Sequence, residues 1–325
     1  MPRDRMKAQR SKVKVYAVVL VGGKGKRLQP ITTDSRPKAF LPITKDDKTM
    51  FRMTLNRIAK FIPSSDIVIV ANEIHKGLVL KDFPDVAKNN LILEPISRNT
   101  APAIALAASV LKNRTEDAIM VVLPADHYIT GDEKYLSAIK KCIGFINKNG
   151  EKEPLLIFGL KPTFPAIGFG YIKVRPKGSG GVYKVERFVE KPDLDTAKEY
   201  VKSGRYLWNS GMFIFKVSSL LKAVRRYAPA IYDGLNLSDA AGLDRAYEKL
   251  PDISIDYAIM EKAENIYCVK GTYGWQDLGT FKSLHAHLKK ELKGFAKASK
   301  KYRSKPSSSL NVLEAVEMLL KKNNL

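Results

Sequence analysis

Short apolar runs alternate with amphipathic stretches over the first half of the chain. VKVYAVVLV (13–21), SDIVIVAN (65–72), NNLILEP (89–95) and EDAIMVVLPAD (116–126) are rich in Val and Ile and read as strands. Between them, TLNRIAKFI (54–62), NTAPAIALAASVLKNR (99–114) and DEKYLSAIKKCIGFINKNG (132–150) space their apolar residues by three and four, the period of a helix face. Strand alternating with helix predicts βαβ units. The expectation is an α/β, Rossmann-like fold, a mostly parallel sheet with helices on both faces. Right-handed crossovers stack the strand C-termini along one edge, and ligands of open sheets sit beyond that edge. GGKGKR (22–27) and PADH (124–127) each follow a strand, so both are expected in the same crevice.

From about residue 155 the texture changes. LLIFGLKP (155–162), GFGYIKV (168–174), YKVERFVEKP (183–192) and GMFIFKV (211–217) are strand-like and separated by Gly, Pro and Ser, which predicts antiparallel additions. DTAKEYVKSG (195–204) and SLLKAVRRYAP (219–229) read as helices. DISIDYAIMEKAENIYCVKG (252–271) ends in another strand, GWQDLGT (274–280) reads as a turn, and FKSLHAHLKKEL (281–292) as a closing helix. KASKKYRSKPSSS (297–309) is expected to be a charged linker and NVLEAVEMLLKKNN (311–324) a short amphipathic helix. Three parts follow: a basic tail over 1–13, one domain over 14–285, and a basic, helical extension over 286–325.

Composition sharpens the picture in two places. The net charge is +23, but residues 1–14 carry +5 of it and residues 282–325 carry +8, so the ends inflate the total. A nucleic-acid surface of the stacking type needs aromatics among its cations, and the tails offer little beyond Phe295 and Tyr302, so nucleic acid is set aside as a partner. The remaining basic excess suits polyanionic ligands. No run nears the roughly 20 apolar residues of a membrane span. The first apolar run ends in GGKGKR rather than a small-residue cleavage site. With two cysteines too few for a disulfide framework, a cytoplasmic protein without membrane partners is expected.

The loop after the first strand carries the chemistry. Gly22, Gly23 and Gly25 let backbone amides approach an anion, Arg27 can bind phosphate oxygens bidentately, and Lys24 and Lys38 add point charges. A dinucleotide fingerprint needs a third glycine where Leu28 stands, and no Gly-Lys-Ser/Thr triplet provides a P-loop. His75, His127, His285 and His287 form no metal or nucleophile pattern, and no serine or cysteine sits in a triad-like arrangement, so no covalent intermediate is expected.

GGxGxRL followed by Pro37-Lys38 resembles the sugar-phosphate nucleotidyltransferases. LEPISRNTAPAIALAA (93–108), VVLPADHYI (121–129), FVEKPD (188–193), WNSGMFIF (208–215) and YGWQDLGT (273–280) follow in that family's order, and the set is similar to its mannose-1-phosphate guanylyltransferase branch over about residues 14–285. The resemblance implies transfer of a guanylyl group from GTP to mannose 1-phosphate, with Mg²⁺ as cofactor held by Asp126 and Asp277. It implies that Gly22, Gly23, Lys24, Gly25, Arg27 and Lys38 hold the nucleotide's phosphates, and that Arg98, Asn99 and Thr100 line its base and ribose. It assigns Gly170, Glu190, Lys191 and Asn209 to the sugar phosphate, in a pocket built by the antiparallel additions, and Arg27, Lys191 and Asp126 to catalysis. Ile167, Phe169 and Gln276 depart from the family, which more often has Thr, Tyr and a small or acidic residue there. The isomerase-like and hexapeptide-repeat domains of longer relatives have no counterpart in this sequence, which therefore gives no sign of a second activity, and the terminal helix leaves a homodimer open.

Overall fold

The computed structural model describes residues 13–23, 25–115, 117–236, 242–293 and 308–322. Strands β1 (Lys14–Val21), β2 (Ile67–Asn72), β3 (Leu91–Glu94) and β4 (Ala118–Pro124) form where the Val- and Ile-rich runs predict them. They lie parallel in the order β3-β2-β1-β4, with Ala17 of β1 level with Ile67 and Val121. Successive residues of β1 bury into opposite faces. Ala17 and Val19 pack beneath α1 (Met50–Ile58) and α2 (Lys76–Asp82), while Tyr16 and Val18 pack against α3 (Thr100–Lys112). Helix α1 starts four residues earlier than its pattern suggests, because Thr49 caps it by accepting from Arg52 N at 3.0 Å and Met50 and Phe51 are buried.

The second half completes a nine-stranded sheet. After β5 (Tyr128–Thr130) and α4 (Asp132–Lys148) come β6 (Leu155–Leu160), β7 (Tyr171–Val174), β8 (Val182–Val189), α5 (Leu194–Ser203) and β9 (Tyr206–Lys216). Helices α6 (Val217–Tyr227), α7 (Pro229–Asn236) and α8 (Leu243–Lys249) lead through a π-turn at Asp256–Met260 to β10 (Ile266–Lys270) and β11 (Gly274–Gln276). Strand β9 pairs antiparallel with β4 and β6, and β7 pairs with both β8 and β9, so the antiparallel additions grow from the parallel half. Strand β10 is the exception, running parallel to β6.

Two features depart from the sequence pattern. The stretch expected to be a turn after β10 begins with β11, which pairs with β5 in a separate two-stranded ribbon. The expected boundary at 285 falls inside α9 (Phe281–Glu291), and α10 (Ser308–Lys322) packs back against that helix. Leu284, Leu288, Leu310 and Val316 of these two helices share a cluster with Leu28, Leu41 and Ile43 from the segment after β1. Asp47 caps α10, its carboxylate accepting from Ser308 N at 3.0 Å and Ser309 N at 2.9 Å, so the last two residues of the expected linker are helical; 297–307 and the tail 1–12 lie outside the described residues. Both cysteines are buried and unpaired, and no helix among the described residues is long and apolar enough to cross a membrane.

Candidate active site

A cavity of about 320 Å³ opens at the C-terminal edge of the parallel strands. Gly22 and Gly23 after β1, Glu94 at the end of β3, Asn99 and Thr100 opening α3, and Asp126 after β4 line one side. Gly170, Glu190, Asn209, Asp256 and Asp277 from the second half line the other. The crevice expected from the strand order is therefore present, and the two halves of the sheet share it.

Two of the lining residues, Asp126 and Asp277, belong to an ion network. Lys38, with only 4% of its side chain exposed, places Nζ 3.0 Å from Asp126 Oδ2 and 2.6 Å from Asp277 Oδ1, and also donates to the Asp277 carbonyl. Arg27 Nη2 stands 3.3 Å from Asp277 Oδ2. Burial would discharge the Lys38 amine, but the two carboxylates offset this and hold its pKa above the ordinary value. Burial likewise opposes the Asp277 carboxylate, and Lys38, His127 and Arg27 together bring it below the usual range. Burial draws the His127 pKa below its ordinary value against the pull of Asp126 and Asp277, and its Nε2 lies 3.9 Å from Asp126 Oδ1. Gly25 adopts φ +61°, and a Cβ there would stand 3.1 Å from Lys38 Cβ, so glycine is needed both for the turn and for the lysine's path.

The two aspartates suit a divalent cation. Asp126 gives one oxygen to Lys38, Asp277 gives one to Lys38 and the other to Arg27, and hard carboxylate oxygens are the donors that such ions prefer once those cations release them. No group of three or more His, Cys, Asp or Glu side chains able to hold a metal occurs among the described residues, so water and substrate oxygens would complete the shell.

A second group of lining residues is polar in another way. Asn209 Nδ2 donates to Asp256 Oδ1 at 2.8 Å, and its Oδ1 accepts from Gly211 N at 3.2 Å. Lys191 Nζ lies 2.5 Å from Glu190 Oε1. Burial, then the neighbouring Glu190 carboxylate, push the Asp256 carboxyl up to about 7, with Lys191 and the Asn209 amide pulling it back. A Cβ on Gly170 would overlap Glu190 Oε2, so the glycine leaves the room that the carboxylate occupies. Ser210 Oγ and Trp275 Nε1 are buried on the cavity wall without a protein partner.

Most of the residues singled out in the sequence thus converge, with differences. Arg98 turns away: its Nε donates to Tyr247 O at 2.9 Å and its Nη2 to Glu248 O at 2.6 Å, tying the loop to α8 instead of facing the cavity. Thr100 Oγ1 accepts from the distant Ile255 N at 2.9 Å, and Asn99 Oδ1 accepts from Thr100 N at 2.9 Å, the capping role open to a residue at a helix start. Arg27 and Asp277 line an adjoining hollow with Phe164, Phe169 and Trp275. Lys24 lies outside the described residues. Glu94 and Asp256 escaped the sequence reading, since a lone acid at a strand end or in a helical run carries no spacing signal. Glu94 is 4% exposed, accepts from Tyr247 OH at 3.3 Å, and is raised to about 7 by burial, the tyrosine pulling the other way.

A profile of the nucleotidyl transferase family matches residues 16–294. The chain belongs to that family. It is 39% identical over 290 residues to the alginate biosynthesis protein AlgA of Pseudomonas fluorescens, covering 85% of this chain and 59% of that protein. It is 37% identical over 289 residues to the mannose-1-phosphate guanylyltransferase of Escherichia coli, covering 83% of this chain and 59% of that one. The chain thus spans a little under three-fifths of the length of these curated relatives. Among solved structures, one from Thermus thermophilus described as a mannose-1-phosphate geranyltransferase superposes with TM-score 0.75 at 37% identity, covering 85% of this chain and 79% of that one. The α/β sheet of the chain agrees with that likeness.

Proposed function

We propose that this nucleotidyl transferase moves a guanylyl group from GTP to α-D-mannose 1-phosphate, giving GDP-mannose and pyrophosphate with Mg²⁺. The observation that carries the reading is one cavity with three chemically distinct parts. Its wall carries a buried carboxylate, Glu94, the two carboxylates Asp126 and Asp277 that Lys38 bridges, and the Glu190–Asp256–Asn209 cluster. A guanine edge presents two adjacent donors, N1–H and N2–H₂, and a carboxylate is the matching pair of acceptors. A hexose offers hydroxyls, which carboxylates and an amide can bind. The likeness to the Escherichia coli guanylyltransferase supports the same substrates.

In this reading an oxygen of the sugar's phosphate attacks the α-phosphorus of GTP in line, the bond from that phosphorus to the β-phosphate oxygen breaks, and pyrophosphate leaves. The chain contributes alignment and charge. Gly22 and Gly23 let the triphosphate lie against backbone, Arg27 and Lys38 meet the charge that builds on its oxygens, and Lys191 orients the attacking phosphate. Glu190 holds Lys191 and faces the sugar, with Gly170 leaving the space. Asp126 and Asp277 would hold Mg²⁺, which when bound supplies Lewis-acid neutralisation of phosphate charge. Both substrates are charged intracellular metabolites, which supports a cytoplasmic setting.

The test is pyrophosphate release with Mg²⁺ across a matrix of the four common nucleoside triphosphates and several sugar 1-phosphates. Signal concentrated at GTP with mannose 1-phosphate is expected. Signal at another pair would keep the chemistry and change the substrate, and a blank matrix from folded protein would sink the proposal.

A further inference from the structure

Lys38 is built into the fold in a way that an ordinary surface ion pair is not. Its stem is buried, its turn is set by Pro37, and Gly25 makes room for its Cβ. Its ammonium occupies the point where Asp126 and Asp277 converge, at 3.0 and 2.6 Å. Two carboxylates so close would repel without a charge between them. Counting formal charges, Asp126 and Asp277 are balanced by Lys38 and Arg27, so the centre is neutral as it stands. A divalent cation added to that arrangement would leave two uncompensated positive charges in a largely buried place, whereas a polyphosphate arriving with it would supply anionic oxygens for the lysine and arginine.

We propose that Lys38 is a resident counter-ion. It occupies the cation position in the free protein and must give up the aspartate oxygens before a divalent cation takes them. The inference rests on the reading of Asp126 and Asp277 as the cation ligands. It has two consequences. The free protein binds divalent cations weakly, and nucleotide promotes cation binding because the phosphates give Lys38 a second place to go. The lysine keeps its proton throughout, and only its partners change.

The experiment is Mn²⁺ binding to nucleotide-free protein, followed by electron paramagnetic resonance of the free ion, together with the melting temperature as a function of Mn²⁺. Lys38→Met removes the charge and keeps the stem, Lys38→Arg keeps the charge, and a Lys38→Met, Asp126→Asn double variant removes one ligand. Lys38→Met is expected to bind Mn²⁺ about tenfold tighter or more, since a unit charge at contact distance is deleted, while Lys38→Arg stays as weak as the parent. The double variant should lose the gain. If Lys38→Met folds poorly by itself, Mn²⁺ should raise its melting temperature more than it raises the parent's. A folded Lys38→Met that binds no tighter, or an unfolded one that Mn²⁺ does not rescue, overturns the proposal. Its failure is distinguishable from failure of the ligand assignment. If Asp126→Asn abolishes Mn²⁺ binding to the GTP-bound protein while Lys38→Met gains nothing, the aspartates hold the cation and Lys38 is no counter-ion for it. If the double variant keeps the full gain, the cation sits elsewhere and both readings fall.

Discussion

Glu94→Gln is the substitution that asks most directly whether the cavity reads guanine. The two side chains have nearly the same shape, and the amide oxygen can still accept from Tyr247 OH, now 3.3 Å from Glu94 Oε1, so the fold should be kept. What changes is the edge that faces the cavity. A carboxylate meets N1–H and N2–H₂ with two acceptors, whereas glutamine puts its NH₂ against one of these donors. Losing a hydrogen bond to a charged group costs about 1.5–3 kcal/mol, and leaving a donor unmet in a site as closed as this adds about 1–3 kcal/mol. Taking about 3–5 kcal/mol in all, kcat/KM for GTP should fall by roughly 10² to 4 × 10³ at about 1.4 kcal/mol per factor of ten. The assay compares kcat/KM for GTP and ITP, since inosine lacks the 2-amino group. The parent should prefer GTP, and the variant should lose that preference. The pH dependence has a definite sign. Burial lifts the carboxyl to about 7, and its protonated form presents a donor where an acceptor is needed, so KM for GTP should rise as pH falls through about 7 in the parent and stay flat in the variant. A Glu94→Gln enzyme within about threefold of the parent on GTP, with the same pH profile, would refute the assignment.

Three other substitutions probe separate parts of the molecule. Gly170→Ala drives a methyl group into Glu190 Oε2 and to 3.2 Å from Asn209 Cβ, so KM for the sugar 1-phosphate should rise about tenfold or more while KM for GTP holds; parallel changes in both constants in bisubstrate kinetics would count against a separate sugar end. Asp132 opens α4 and pairs with Arg57 Nε at 3.0 Å and Lys60 Nζ at 2.6 Å; burial opposes its charge, but Lys60 and Arg57 hold its carboxyl below the ordinary 3.8. A lowered folded value means stability that is present above the ordinary value and lost as pH falls toward the folded one, so the gap in melting temperature between the parent and Asp132→Asn should be constant from neutral pH down to about 5 and close below about 4. A gap that persists at acid pH would show that the pairing is not its source. Leu288→Ala empties a fully buried position under the loop that follows β1 and should cost about 2–5 kcal/mol in urea unfolding; a loss below about 1 kcal/mol would mean that α9 and α10 pack loosely there.

The parallel half of the fold was legible because its strands are buried on both faces and write themselves as unbroken Val and Ile runs. The helix α3 was equally plain, an alanine-rich stretch opening after an Asn-Thr pair at residues 99–100. What could not be read was anything set by contacts between distant segments. Arg98 sits among motif residues, yet its direction is decided by the carbonyls of Tyr247 and Glu248, some 150 positions away. Lys38 has the look of a phosphate ligand following a glycine-rich loop, and the sequence holds no hint that its partners are Asp126 and Asp277. Phe169, one of the departures from the family pattern, packs edge-on against Trp208 and Trp275 at ring distances of 5.2 Å, a role that an aromatic without the hydroxyl fills as well as tyrosine.

The hardest feature to foresee is the one that assembles the centre. Strands β5 and β11 are three residues each, too short for an alternation of polar and apolar positions to declare itself. Yet their antiparallel register, with Gly274 opposite Thr130, Trp275 opposite Ile129 and Gln276 opposite Tyr128, carries Asp277 level with His127 and so beside Asp126. A slip of one residue would turn the Asp277 side chain to the other face of the ribbon. The first half of the chain supplies Glu94, Lys38 and Asp126 by parallel-sheet logic, and the second supplies Glu190, Asn209 and Asp256 by antiparallel additions. Neither half closes the carboxylate pair. The ribbon does, and Lys38, reaching across from the loop after β1 to both of its flanks, is the contact through which that loop and the two carboxylates take their positions together.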